Sequence, residues 1–216
     1  MERSLQMSQP SSSRLQEYLG NIPPITLGLL CINVAVHILF FLTSWSINDY
    51  SFVPLRIIYS GEVYRIITSA FLHGGLFHIA MNMMSLIALG GVLEPAYGSV
   101  RFLYITLVAL ILTGVIAIAF LYLCAVLISP QYLFTNAVGY SGVLFSYALI
   151  ESFHAPDTMR SVMGMFSVPT KIYPFVLLLL LQVLKYLMFN VGIRIYIFSE
   201  SNVHYISHTV CTCNIT

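Results

Sequence analysis

A serine, a histidine and an asparagine stand out from a chain that is otherwise mostly apolar. Ser141 lies between glycines in Gly139-Tyr140-Ser141-Gly142, and His78 precedes Asn82 in His78-Ile79-Ala80-Met81-Asn82. A serine hydroxyl becomes a nucleophile when a base removes its proton. The tetrahedral intermediate of acyl transfer then needs donors aimed at its oxyanion, which Asn and His side chains supply together with a backbone N–H. Residues four apart share a helix face, so a helix here would present His78 and Asn82 as one donor pair. Gly139 and Gly142 permit close backbone approach. Gly142 and Ser146, also four apart, form a small-xxx-small face for tight helix packing. Plainer readings stay open for these residues. Polar side chains on membrane helices also hydrogen-bond one helix to another, and a serine between glycines also suits close packing.

Other reactive side chains point to less. His73 and His78 have no third metal ligand at a fitting spacing, so no metal is expected. Cys31 and Cys124 sit in apolar runs as small buried thiols, and Cys211 and Cys213 flank a single residue near the C-terminus. Arg65 suits an anchor for the loop before the second apolar stretch, and Glu94 suits a structural place near an interface or at a turn. A net charge of +1 gives nucleic acid nothing to bind.

The elements that position these residues must lie in lipid. Hydrophobic residues make up 58% of the chain and charged residues 8%, with a mean hydropathy of +0.88. A soluble domain carries about a quarter charged residues, so this chain could not cover a water-facing surface. A helical span needs about 20 apolar residues to cross roughly 30 Å of hydrocarbon. Five stretches are read as spans: Ile25–Leu42, introduced by Pro23-Pro24; Leu76–Leu93; Val100–Ile128; Gly139–Phe153; and Ile172–Met188. The expected fold is an all-α, polytopic transmembrane bundle. Thr43–Gly75 reads as an interfacial segment, and Ser129–Ala137 and His154–Thr170 as polar connections. Residues 1–24 are expected to be a polar cytosolic segment, 25–184 the membrane domain and 185–216 a divergent tail. The polar start, Met1 to Asn21, argues against a cleaved signal peptide.

Orientation follows the basic residues of the connections. Arg3, Arg14, Arg101, Arg160 and Lys171 fall on one side, and Arg56, Arg65, Lys185 and Arg194 on the other, which places the N-terminus in the cytosol. The second and fourth spans then run in the same direction. His78, Asn82 and Ser141 therefore start their helices on the same, non-cytosolic side. About 15 helical residues rise roughly 22 Å, less than the hydrocarbon core. The fourth span's first turn would thus sit below the surface, at the floor of a water-accessible pit.

With these residues in place, the chain resembles the rhomboid intramembrane serine proteases. Gly139-Tyr140-Ser141-Gly142 is similar to their GxSG and His78-xxx-Asn82 to their HxxxN. Arg65, His73 and Glu94-xxx-Gly98 agree with the same pattern. The resemblance implies Ser141 as nucleophile and His78 and Asn82 as the oxyanion hole. It implies His73, Gly139, Gly142, Arg65 and Glu94 as structural residues near the site, and no metal or cofactor. The implied partners are transmembrane segments of other proteins, within the bilayer. The family's general base is a His on a sixth span, and no segment of that kind follows Leu184. That departure puts catalysis by this chain in doubt and suggests a truncated form. His204 and His208 lie in the tail, His37 on the first span and His154 at the far end of the fourth; none is placed to serve as base. The rival reading is an inactive rhomboid-like protein that binds transmembrane clients. A secretory-pathway membrane is expected, with a mitochondrial or plastid membrane as the alternative.

Overall fold

The computed structural model describes residues 20–180, apart from positions 44, 155, 156 and 163. Most of the polar N-terminal segment lies outside the described residues, as do the end of the fifth stretch, the tail, His204, His208, Cys211 and Cys213. The chain forms two units, one ending at His154 and one starting at Ala155.

The first unit is a helical bundle. Its helices are α1 (Pro24–Leu42), α2 (Pro54–Tyr59), α3 (Arg65–Phe71), α4 (Leu76–Tyr97), α5 (Ser99–Leu127) and α6 (Ser141–His154). In lipid every backbone polar group must be satisfied within the protein, which favours long uninterrupted helices. Pro24 sits in the first turn of α1, where its missing N–H costs nothing. Gly98 separates α4 from α5 at φ 79°, a left-handed turn that glycine adopts without strain.

Among the described residues, α1, α4 and α5 are long and apolar enough to cross a membrane. That is three spans rather than the five expected. α6 has 14 residues, short of the length a full crossing requires, and the stretch from Ile172 continues past the described residues. The expectation of buried cysteines also fails for Cys31, which is exposed; Cys124 is half-buried. The apolar runs that carry them are membrane helices whose outward faces are not covered by the rest of the unit.

Small residues let the helices cross closely. A Cβ on Gly90 of α4 would lie 2.5 Å from the Thr26 Oγ1 of α1, and one on Gly114 of α5 would collide with Ile66 of α3. The buried Thr106 of α5 hydrogen-bonds the Tyr147 hydroxyl of α6.

The loop between α1 and α3 is organised by Arg65. Its side chain is buried and donates to the carbonyl oxygens of Asn48 (2.9 Å) and Ser51 (2.8 Å) and to Glu62. The Arg65 hydrogen bond holds the Glu62 carboxyl below its usual range. This segment is therefore a structured loop with two short helices.

The second unit holds a feature absent from the sequence reading. Where a polar connection was expected, Met159–Val162 (β1) and Phe166–Pro169 (β2) pair antiparallel as a hairpin, turning through Gly164 at φ 75°. Residues 173–180 are helical.

Candidate active site

Ser141 is the first residue of α6. Its backbone N–H therefore lies in the first turn, where a helix leaves its amide hydrogens without intrahelical partners. The chain leading into it is clamped from both sides. Phe52 and Ala137 exchange backbone hydrogen bonds of 2.9 and 3.1 Å, and the Gly139 N–H donates to the Ser69 carbonyl at 2.9 Å. Gly139 has φ 121°, a conformation that L side chains rarely adopt.

Gly139 also explains how the two motifs meet. A Cβ there would stand 2.7 Å from Cε1 and 2.8 Å from Nε2 of His78. The imidazole of α4 thus lies directly on the backbone two residues before Ser141. Asn82, one turn further along α4, is buried and donates its Nδ2–H to the His78 carbonyl oxygen at 2.8 Å. Gly142 lies against Thr113 of α5, at ordinary contact distance.

Ser141 lines a cavity of about 200 Å³ between α3, α5 and the segment entering α6. Ser69, Ala70, Thr113, Gly139 and Gly142 share its wall. The Ser141 hydroxyl makes no side-chain hydrogen bond among the described residues, and the residue is half-buried.

His73 adjoins His78, with ring centroids 5.2 Å apart and planes at 66°. His73 is itself buried, 2% exposed. Burial, with His78 beside it, lowers its pKa to about 4, so the imidazole is neutral near pH 7. His37 of α1 joins from another side at 6.4 Å. Sequence reasoning had set His37 aside by position. Its spacing from His73 carries no motif, and only the packing of α1 reveals the contact.

Two of the expected neighbours stand apart from this cluster. Arg65 belongs to the loop described above. Glu94 lies 16 residues beyond His78 on the same helix, roughly 24 Å along its axis. It accepts from Ile25 N–H (2.9 Å), Thr26 N–H (2.7 Å), Thr26 Oγ1 (2.8 Å) and Ser99 Oγ (2.8 Å). Pro23 and Pro24 have no N–H and no capping side chain, so Glu94 supplies the cap of α1 from another helix. His154 is also at that end, where the Tyr97 hydroxyl approaches its ring nitrogens at 2.8–2.9 Å.

A profile of the Rhomboid domain matches residues 60–211. The chain belongs to the rhomboid family. Rhomboid-like protein 15 of Arabidopsis thaliana is 34% identical over 178 residues, covering 80% of this chain and 44% of that protein. Rhomboid-related protein 4 of Mus musculus is 32% identical, covering 71% of this chain and 48% of that one. Rhomboid protease GlpG of Yersinia pestis is 28% identical over 111 residues, covering 47% of this chain and 37% of its own length. This rhomboid chain therefore spans less than half the length of these curated relatives. The family places it in the superfamily of intramembrane proteases, which act on transmembrane proteins within the bilayer, and its apolar helices are those of a multi-pass membrane protein.

Proposed function

We propose that Ser141 is the nucleophile of an intramembrane serine endopeptidase site that cleaves transmembrane segments of other proteins. His78 and Asn82 line the oxyanion hole beside the Ser141 N–H. Gly139, Gly142 and His73 shape the site, while Arg65 and Glu94 secure the loop and the helix ends around it. The observation that carries this reading is the contact of the His78 ring with Gly139, 61 residues away in sequence and two residues before Ser141. The cavity that Ser141 lines supports it, since its volume of about 200 Å³ accommodates a small substrate side chain. In this reading the N-terminus is cytosolic, α6 and the stretch from Ile172 complete five spans, and the site opens on the non-cytosolic side of a secretory-pathway membrane.

The test is cleavage of a transmembrane substrate by the purified chain in liposomes, compared with Ser141→Ala. Cleavage lost on substitution supports the protease. The family's base is a His on a sixth span, and the described histidines are His37, His73, His78 and His154. Turnover without an added segment is therefore the stringent form of the test. Absence of cleavage, with substrate retention unchanged by Ser141→Ala, favours a client-binding protein instead.

A further inference from the structure

A second hollow in the helical unit, of about 490 Å³, shares no residue with the cavity at Ser141. It is lined by Ile58 and Tyr59 of α2 and by Val115, Ile118, Ala119 and Tyr122 of α5. The four α5 residues recur at helical spacing and form one stripe. The small side chain of Ala119 leaves room between its larger neighbours. Ile58, Tyr59, Val115 and Tyr122 are all exposed, so the hollow is a groove that opens outward.

The length of α5 sets the depth of this groove. Arg101, exposed in the first turn of α5, belongs at one membrane surface. Tyr122 follows 21 residues later, roughly 32 Å along the helix axis, which matches the roughly 30 Å of hydrocarbon. Tyr122 therefore stands at the opposite surface, where tyrosine is favoured, and Val115 lies about 10 Å deeper. The groove is thus confined to a single leaflet. A partner's membrane-crossing helix would run past it through both leaflets, whereas a lipid chain enters from that surface and ends within the leaflet.

The polar groups beside the groove fit a lipid headgroup. Arg56 is exposed on α2, three residues before Tyr59. Among the described residues it has no ion pair; Glu62, whose N–H donates to the Arg56 carbonyl oxygen, pairs its carboxylate with Arg65. The hydroxyls of Tyr59 and Tyr122 make no hydrogen bond among the described residues. A guanidinium and two phenol donors beside an apolar groove match a phosphodiester above an acyl chain. We propose that the groove holds a phospholipid, with one acyl chain along α5 at Ala119, the phosphate on Arg56, and Tyr59 and Tyr122 at the level of the esters. The lipid bridges α2 to α5. Phe52, two residues before α2, exchanges hydrogen bonds with Ala137, so the bridge also steadies the loop that clamps the segment entering α6. This site is independent of any reaction at Ser141.

The experiment is photo-crosslinking of the full chain in nanodiscs with a phosphatidylcholine that carries a diazirine on one acyl chain, the adducts being mapped by mass spectrometry. Native mass spectrometry of the same samples counts the phospholipid kept after detergent extraction. The expected result is one retained phospholipid per chain, with adducts concentrated at residues 58–59 and 115–122. Arg56→Gln, which removes the charge, and Ala119→Trp, which fills the groove, should each lower retention at least about fivefold. Ile116→Trp, at a residue exposed on α5 but outside the groove, should leave it unchanged. Dioleoylglycerol, which lacks the phosphate, should not displace the phospholipid. Adducts spread evenly over the exposed faces of α1, α4 and α5, or undiminished retention in either groove variant, mean a fluid lipid shell and overturn the proposal. A co-purified membrane protein that shields the groove from the photolipid overturns it as well. If Arg56→Gln does not fold, Ala119→Trp and the wild-type adduct map decide.

Discussion

At the Gly98 end of α4, Glu94 accepts four hydrogen bonds and caps the proline-started α1. At the Gly75 end, the His73 Nε2 and the Tyr140 hydroxyl are buried without partners among the described residues, and Ser141 opens on a cavity. Both ends bring polar groups into a region where lipid cannot satisfy them. Around Glu94 the groups satisfy each other, whereas around His73, Tyr140 and Ser141 lone pairs and space remain. Intramembrane polarity by itself therefore does not mark a reactive site. Unused hydrogen-bonding capacity next to a cavity is the better sign.

If that contrast is right, the largest stability effect belongs to the satisfied end. Glu94→Ala should cost roughly 3 kcal/mol, because it orphans the first free N–H groups of α1. Unfolding titrations in detergent measure it, and a loss below about 1 kcal/mol would mean that the cap is replaceable.

The second effect comes from pH at the other end. The folded chain holds His73 neutral down to about 4, whereas the unfolded side chain protonates near 6.5. The unfolded state therefore binds the extra proton first as pH falls. This contribution to stability is complete above about 6.5 and is lost as pH drops towards 4. His73→Phe should flatten that part of the profile, and an unaltered slope would assign it to other groups.

A smaller change, of about 1–2 kcal/mol, is expected for Gly139→Ala, which combines a positive φ with a collision against His78. Its sharper effect is local: the His78 ring must shift, and Ser141 should lose reactivity out of proportion to stability. The smallest stability change should be that of Ser141→Ala, within about 0.5 kcal/mol of wild type, since its hydroxyl has no protein partner among the described residues. A large destabilisation there would make Ser141 a packing residue, like those at the Glu94 end.

Much of this was legible in the residues. The i, i+4 spacing of His78 and Asn82 put both on α4, and Gly139 marked the close approach that seats the imidazole. Pro23-Pro24 marked the start of α1, but not that its first free N–H groups would look to a carboxylate 69 residues away. That partner is set by helix crossing, where Gly90 meets Thr26. The His37–His73–His78 cluster was hidden for the same reason. The hairpin at 159–169 gave no clear alternation of polar and apolar residues, which is the signal that reveals a strand. Of the five stretches read as spans, three stand among the described residues as long apolar helices, while α6 has 14 residues from Ser141, close to the short span expected, and the stretch from Ile172 continues past the described residues.

The most direct measurement is covalent labelling of the purified chain in lipid with a fluorophosphonate, with the modified residue located by mass spectrometry. The account predicts a single adduct on Ser141, formed much more slowly when His78 is replaced by Asn. Labelling that spares Ser141, or that proceeds at the same rate without His78, would contradict it.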